Sequence, residues 1–132
     1  MLEILFPMLQ IRDAQLRVFE GASHRAYLSR VLNLVELLAP GFQRDQSARQ
    51  QEERAEQAFQ RAWNFGCRTE LGIGLFIAAM FIGGPGFEND PECAATMNDR
   101  TLPPEARVSH LFSDLADTRW ERVRQRCAST NW

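Results

Sequence analysis

From Leu71 to Phe87 the chain runs for seventeen residues without a charge, closed off by Glu70 on one side and Glu88 on the other. The flanking sequence is polar and rich in Arg and Glu. Such a stretch can be a membrane span, a core helix, or a surface that another chain covers. A spanning helix needs about 20 apolar residues to cross about 30 Å of hydrocarbon. Gly83, Gly84, Pro85 and Gly86 end any helix near Ile82. The remaining Leu71–Ile82 segment is only about 18 Å long at 1.5 Å per residue. No stable membrane insertion is therefore expected. The stretch lies far from the N-terminus with no basic region ahead of it, so it is not read as a signal peptide.

A chain of 132 residues is long enough to bury a real core, and it is read as one helical domain over 1–132. The formal net charge is −2 and all fifteen basic residues are Arg. Positive and negative residues alternate: residues 1–66 hold eight of each sign. A nucleic-acid face needs segregated basic charge, so no nucleic-acid partner is expected. Cys67, Cys93 and Cys127 are far apart, with no Cys-x-x-Cys pair or Cys/His cluster, which argues against zinc. Free thiols in a reducing cytosol are the simplest expectation.

Helical periodicity runs through the whole chain, and the fold class is all-α, a bundle of about five helices. Only Met1–Phe6 hints at strand alternation, and it is too short to judge. Asp13 is suited to cap a first helix to about Glu20. Gly21 marks a break. Ser23 can cap a second helix to about Ala39, with Leu28, Val31, Leu32, Val35 and Leu38 at core spacing and Tyr27, Leu34 and Leu37 widening the stripe. Pro40-Gly41 ends it. Asp45 is placed at the start of a third helix through Phe65, solvated in its first half and carrying Ala55, Ala58, Phe59, Ala62 and Trp63 on one face in its second. Gly66 is its C-cap.

Thr69 is the expected N-cap of the apolar helix near 70–82, and Glu70 in the first turn suits the helix dipole. Ile73, Phe76, Ile77 and Met80 form one bulky face. Leu71, Leu75, Ala78 and Ile82 lie on another. Gly74 and Ala78 offer a close approach to a neighbour. A helix apolar all round must be covered on nearly every side, which makes it the centre of the bundle or leaves one side for another chain. Asp90-Pro91 reads as an N-cap followed by Pro at the first helical position, opening a short helix to about Asn98. Pro103-Pro104 opens a last helix to about Cys127, with Val108, Leu111, Phe112, Leu115, Ala116, Trp120, Val123 and Cys127 in one stripe.

No residue set singles out catalysis. His24 and His110 are the only histidines and stand at helix boundaries or surfaces. The oxygen-rich Glu88, Asn89, Asp90 and Glu92 lack the register of a calcium loop. Gly83-Gly84-Pro85-Gly86 lacks the Gly-Lys-Ser/Thr and the strand of a phosphate loop. The chain is read as no enzyme, with no catalytic residues, no metal site and no cofactor. Trp63 and Trp120 fall on apolar stripes. Trp132 follows a polar Ala-Ser-Thr-Asn run and either tucks back or anchors to a partner.

A set of short motifs occurs in a fixed order: Ile11 and Gln15, Pro40, Ala62 with Phe65-Gly66, Thr69-Glu70, the run Gly84-Pro85-Gly86-Phe87-Glu88-Asn89-Asp90-Pro91, and Leu102-Pro103-Pro104-Glu105-Ala106-Arg107. In order and spacing this resembles a family of small helical proteins encoded beside effectors of the bacterial type VI secretion system. The resemblance covers most of the chain. It implies a co-chaperone that binds an adaptor-chaperone and helps to stabilise or load an effector, with the effector itself as a second candidate contact. It implies no catalytic residues. The chain departs from the family at Gly72–Ile77, where the members carry more polar residues. That departure means a drier core or a larger contact surface, and Phe76, Ile77, Met80, Phe81 and Phe87 are the candidate partner-binding residues. A homo-oligomer is compatible with the same apolar surface. The alternative is an immunity protein for a neighbouring toxin, although the balanced charge fits a one-signed toxin site poorly. An interfacial membrane helix is the third reading, and it lacks the charged face that such a helix needs.

Overall fold

The computed structural model describes residues 22–38, 46–115, 117–130 and 132. Six α-helices occur there: α1 (Ala22–Leu38), α2 (Ala48–Phe65), α3 (Glu70–Gly83), α4 (Pro91–Met97), α5 (Pro104–Asp114) and α6 (Asp117–Cys127), with a 3-10 turn at Phe87–Asn89. No strand is present among the described residues. The expected helix from Asp13, the Ile11–Gln15 segment and the Pro40-Gly41 stop lie outside them.

α3 is the centre of the bundle. It packs against α1, α2, α5 and α6. Thirteen of its residues are buried, and Leu71 alone is half-buried. Its apolar residues therefore contribute the largest share of the hydrophobic driving force, at roughly 25 cal/mol per Å² removed from water. Two glycines let neighbours approach closely. A Cβ on Gly72 would stand 2.4 Å from Glu105 Cγ on α5, and one on Gly83 would stand 3.0 Å from the Trp120 ring on α6. The aromatic rings of Phe65, Phe76 and Phe87 pack in series, with centroids 5.4 and 5.0 Å apart.

Local chemistry fixes most helix ends. Thr69 accepts from the N–H of Gly72 and caps α3. Gly66 closes α2 with φ 120°, and its N–H reaches the carbonyls of Ala62 and Trp63. Arg68 adds to this stop, donating to the carbonyls of Trp63 (2.7 Å) and Cys67 (2.9 Å) while its guanidinium lies 3.7 Å over the Trp63 ring. Asp90 accepts from the N–H of Glu92 and caps α4, with Pro91 at the first helical position. Arg107 donates to the carbonyls of Asp99 (2.8 Å) and Leu102 (2.9 Å), so the last arginine of the Leu102–Arg107 motif ties down the loop before α5.

Helix boundaries and one core stripe differ from the sequence-based expectations. α2 starts at Ala48 rather than at Asp45, because Ser47 and Gln50 form a reciprocal capping box. Leu37 and Leu38, expected on the core stripe, are exposed at 67% and 38% in the last turn of α1, and Leu34 and Val35 are the last residues of that stripe to be buried. The single helix expected from Pro104 to Cys127 is two helices. Leu115 adopts extended φ/ψ of −91° and 119°, and its N–H closes α5 on the carbonyl of Leu111. A straight helix of 24 residues would run about 36 Å, twice the length of α3's apolar stretch. The break lets both halves lie on α3: Val108, Leu111 and Leu115 from one side, Trp120, Val123 and Cys127 from the other, all buried.

Candidate docking surface at the end of the apolar helix

The five residues expected to meet a partner are interior. Phe76 is 1% exposed, Phe81 4%, and Ile77, Met80 and Phe87 are fully buried. Phe76 meets Phe65 and Phe87, and Phe87 also faces Trp120. Each is held by the bundle itself, because a helix apolar on every side is most stable when its own chain surrounds it. Two of the five, Met80 and Phe81, also line a groove at the surface.

At the C-terminus of α3, Met80, Phe81, Gly84 and Pro85 line a groove of about 350 Å³. Cys127 and Thr130 from the end of α6 and Arg54 and Gln46 from the α2 side complete it. Gly84 is required at this corner. It has φ 95°, and a Cβ there would stand 2.9 Å from Cys127 Cβ. Trp132 folds back to form one wall of the groove. Its ring lies 5.1 Å from Phe81, and the Arg54 guanidinium sits 5.4 Å from the indole centroid. Sequence reading left Trp132 undecided between tucking back and anchoring outside; in the structure it tucks back. Arg54, in the solvated half of α2, gave no sequence signal for this role, which arises only when α2 and the segment after α6 meet.

Several other chemistry-bearing residues make contacts between the helices. The Asp90 carboxylate receives 2.7 Å hydrogen bonds from Arg126 Nε and Nη2, and the Arg126 contact holds it below its usual pKa. Glu92 is paired with Arg119, Arg122 and Arg126, and hydrogen bonds from Arg122 and Arg126 hold its carboxyl down to about 2. These contacts fasten α4 to α6. Arg61 pairs with Glu88 at 3.0 Å. Glu70 is nearly buried, Arg30 approaches it at 3.9 Å, and burial raises its pKa. His24 bonds Glu56 across α1 and α2 and sits edge-on to Phe59, in a second groove of about 250 Å³ between those helices. His110 is exposed. The three cysteines are free and buried, and burial pushes the Cys67 and Cys93 thiols up to about 12. Among the described residues no group of three or more His, Cys, Asp or Glu side chains is placed to hold a metal. None of the described helices is long and apolar enough to cross a membrane.

Compared with protein-family models, curated proteins and solved structures, the chain matches none.

Proposed function

We propose that this chain is a non-enzymatic interaction protein, a cytoplasmic co-chaperone that binds an adaptor-chaperone and helps it to stabilise or load a type VI secretion effector. The observation that carries the interaction role is the groove at the end of α3. It lies against the buried C-terminal end of the apolar helix, and Trp132, which follows the exposed residues 128–130, forms one of its walls. A groove of apolar floor and polar rim with aromatic and Arg residues has the composition of protein-recognition sites. The secretion context rests on the ordered motifs from Ile11 to Arg107. Those within the described residues lie at helix ends and turns.

The test is co-expression with the adjacent adaptor-chaperone, followed by size exclusion with light scattering. A co-eluting complex of defined mass supports the proposal. Separate elution, with this protein a well-behaved monomer, overturns adaptor binding and turns attention to toxin neutralisation, read by survival of cells that express the neighbouring toxin.

A further inference from the structure

The groove at the end of α3 has chemistry specific enough to define what it takes. The Trp132 ring lies 5.1 Å from that of Phe81 and tilted by 52° to it, and the Arg54 guanidinium lies over the indole at 5.4 Å. A ring that meets both an apolar ring and a guanidinium is in a cation–π arrangement that a comparable ring can enter. In the connection to α6, Ala128, Ser129 and Thr130 are exposed, and the Thr130 N–H donates to the Cys127 carbonyl at 3.0 Å. The volume of about 350 Å³ lies at the lower end of ligand pockets, which run from about 300 to 1,000 Å³, so it suits a side chain with its flanking backbone rather than a large cofactor. A further feature selects the partner. The charged side chains that line the groove are Arg54 and Arg124, and although Arg124 also pairs with Glu121, the field at the groove favours carboxylates beside the incoming ring.

We propose that this groove is the docking site for an aromatic anchor residue, flanked by acidic residues, on an extended segment of a partner protein, and that Trp132 is the intramolecular stand-in which the anchor displaces. This rests on the reading of the chain as an interaction protein and names the chemistry of its partner. Displacement exchanges one ring for another on the same surface. The apparent affinity for an incoming anchor is therefore lowered by the fraction of molecules in which Trp132 is seated.

The probe is a blocked acetyl-Glu-Trp-Glu-amide peptide, with acetyl-Lys-Trp-Lys-amide as its charge-reversed control. The protein is labelled with 5-fluorotryptophan, and its three fluorine resonances are assigned with Trp132→Phe. The acidic peptide is expected to move the Trp132 resonance and to leave those of Trp63 and Trp120 in place. Trp132→Ala is expected to bind the acidic peptide about tenfold more tightly than the natural chain, as removal of a competing seated ring requires. Arg54→Ala is expected to weaken binding, and the control peptide is expected not to bind. A Trp132 resonance that does not respond to saturating acidic peptide overturns the proposal. So does equal affinity in the natural chain and in a Trp132→Ala variant of native helicity. Failure here together with co-elution of the adaptor-chaperone would leave the co-chaperone reading standing and assign its contact to another face.

Discussion

Arg126 grips the Asp90 carboxylate with two hydrogen bonds of 2.7 Å, and the same carboxylate caps α4 through the N–H of Glu92. One residue thus ends a turn through its backbone N–H, and with its side chain starts a helix and fastens that helix to α6. The Asp90 side chain is almost fully buried, whereas Arg126 is substantially exposed. Arg126→Ala leaves a desolvated charge behind and is expected to cost about 2 kcal/mol, a typical value for a lost hydrogen bond to a charged group. Asp90→Ala removes cap and pair together and is expected to cost more. Urea unfolding of the two single variants and the double variant measures the coupling.

The same pair sets an acid limit. Arg126 holds the Asp90 pKa below its unfolded value, so the stabilisation is complete above that unfolded value and is lost as pH falls through the folded one. Glu70 acts in the opposite sense. Burial raises its pKa, so its contribution is most favourable at low pH and fades as pH rises through the folded value. Glu70→Gln is expected to raise stability at pH 7 relative to the natural chain, and to flatten the decline in stability between mildly acidic and neutral pH. Thermal unfolding across that range checks both signs.

Tyr27 is fully buried, and its hydroxyl donates a 2.7 Å hydrogen bond to the Glu70 carbonyl, joining α1 to the first turn of α3. Tyr27→Phe keeps the ring against Phe59 and removes only the donor. The expected loss is about 1 kcal/mol, with an unchanged urea m-value.

Phe76→Ala is expected to destabilise by about 3–5 kcal/mol, because the ring is buried between Phe65 and Phe87 and its removal leaves a cavity. Leu37→Ser, at an exposed site, is expected to stay within about 0.5 kcal/mol. Loss of partner binding in the Phe76 variant would therefore be read as unfolding unless circular dichroism shows native helicity.

The thiols give a separate check on packing. Cys67, Cys93 and Cys127 are buried, and burial raises all three pKa values. Iodoacetamide at pH 8 is expected to label none of them in the native protein and all three in urea, as counted by intact mass.

Much of this architecture could be read from local chemistry. Thr69, Asp90-Pro91 and Gly66 each act within a few residues, so sequence alone places them. Ser47 carried an equally local signal in the Ser-x-x-Gln spacing to Gln50, but Asp45 masked it as a competing cap. The break at Leu115 was harder to see. The apolar stripe steps by five residues from Leu115 to Trp120, a change of helical phase that the small Ala116 conceals by standing four residues before Trp120. The candidate site was least legible. An all-apolar helix announces that it will be covered, not by what, and here its own chain covers all five residues that looked available. The groove joins Arg54, Phe81 and Trp132 from three distant segments, a juxtaposition that no periodicity encodes.

The extended backbone at Leu115 also divides the molecule kinetically. Helical hydrogen bonds are lost and regained cooperatively along one ladder, and the ladder of α5 ends where the Leu115 N–H meets Leu111. α6 therefore forms its own unit of local opening, restrained by Trp120 and Val123 against Gly83 and by Arg126 against Asp90. Amide protons of α6 would exchange through a smaller opening than those of α3, and each such event would carry Trp132 away from Phe81 while the centre of the bundle stays protected.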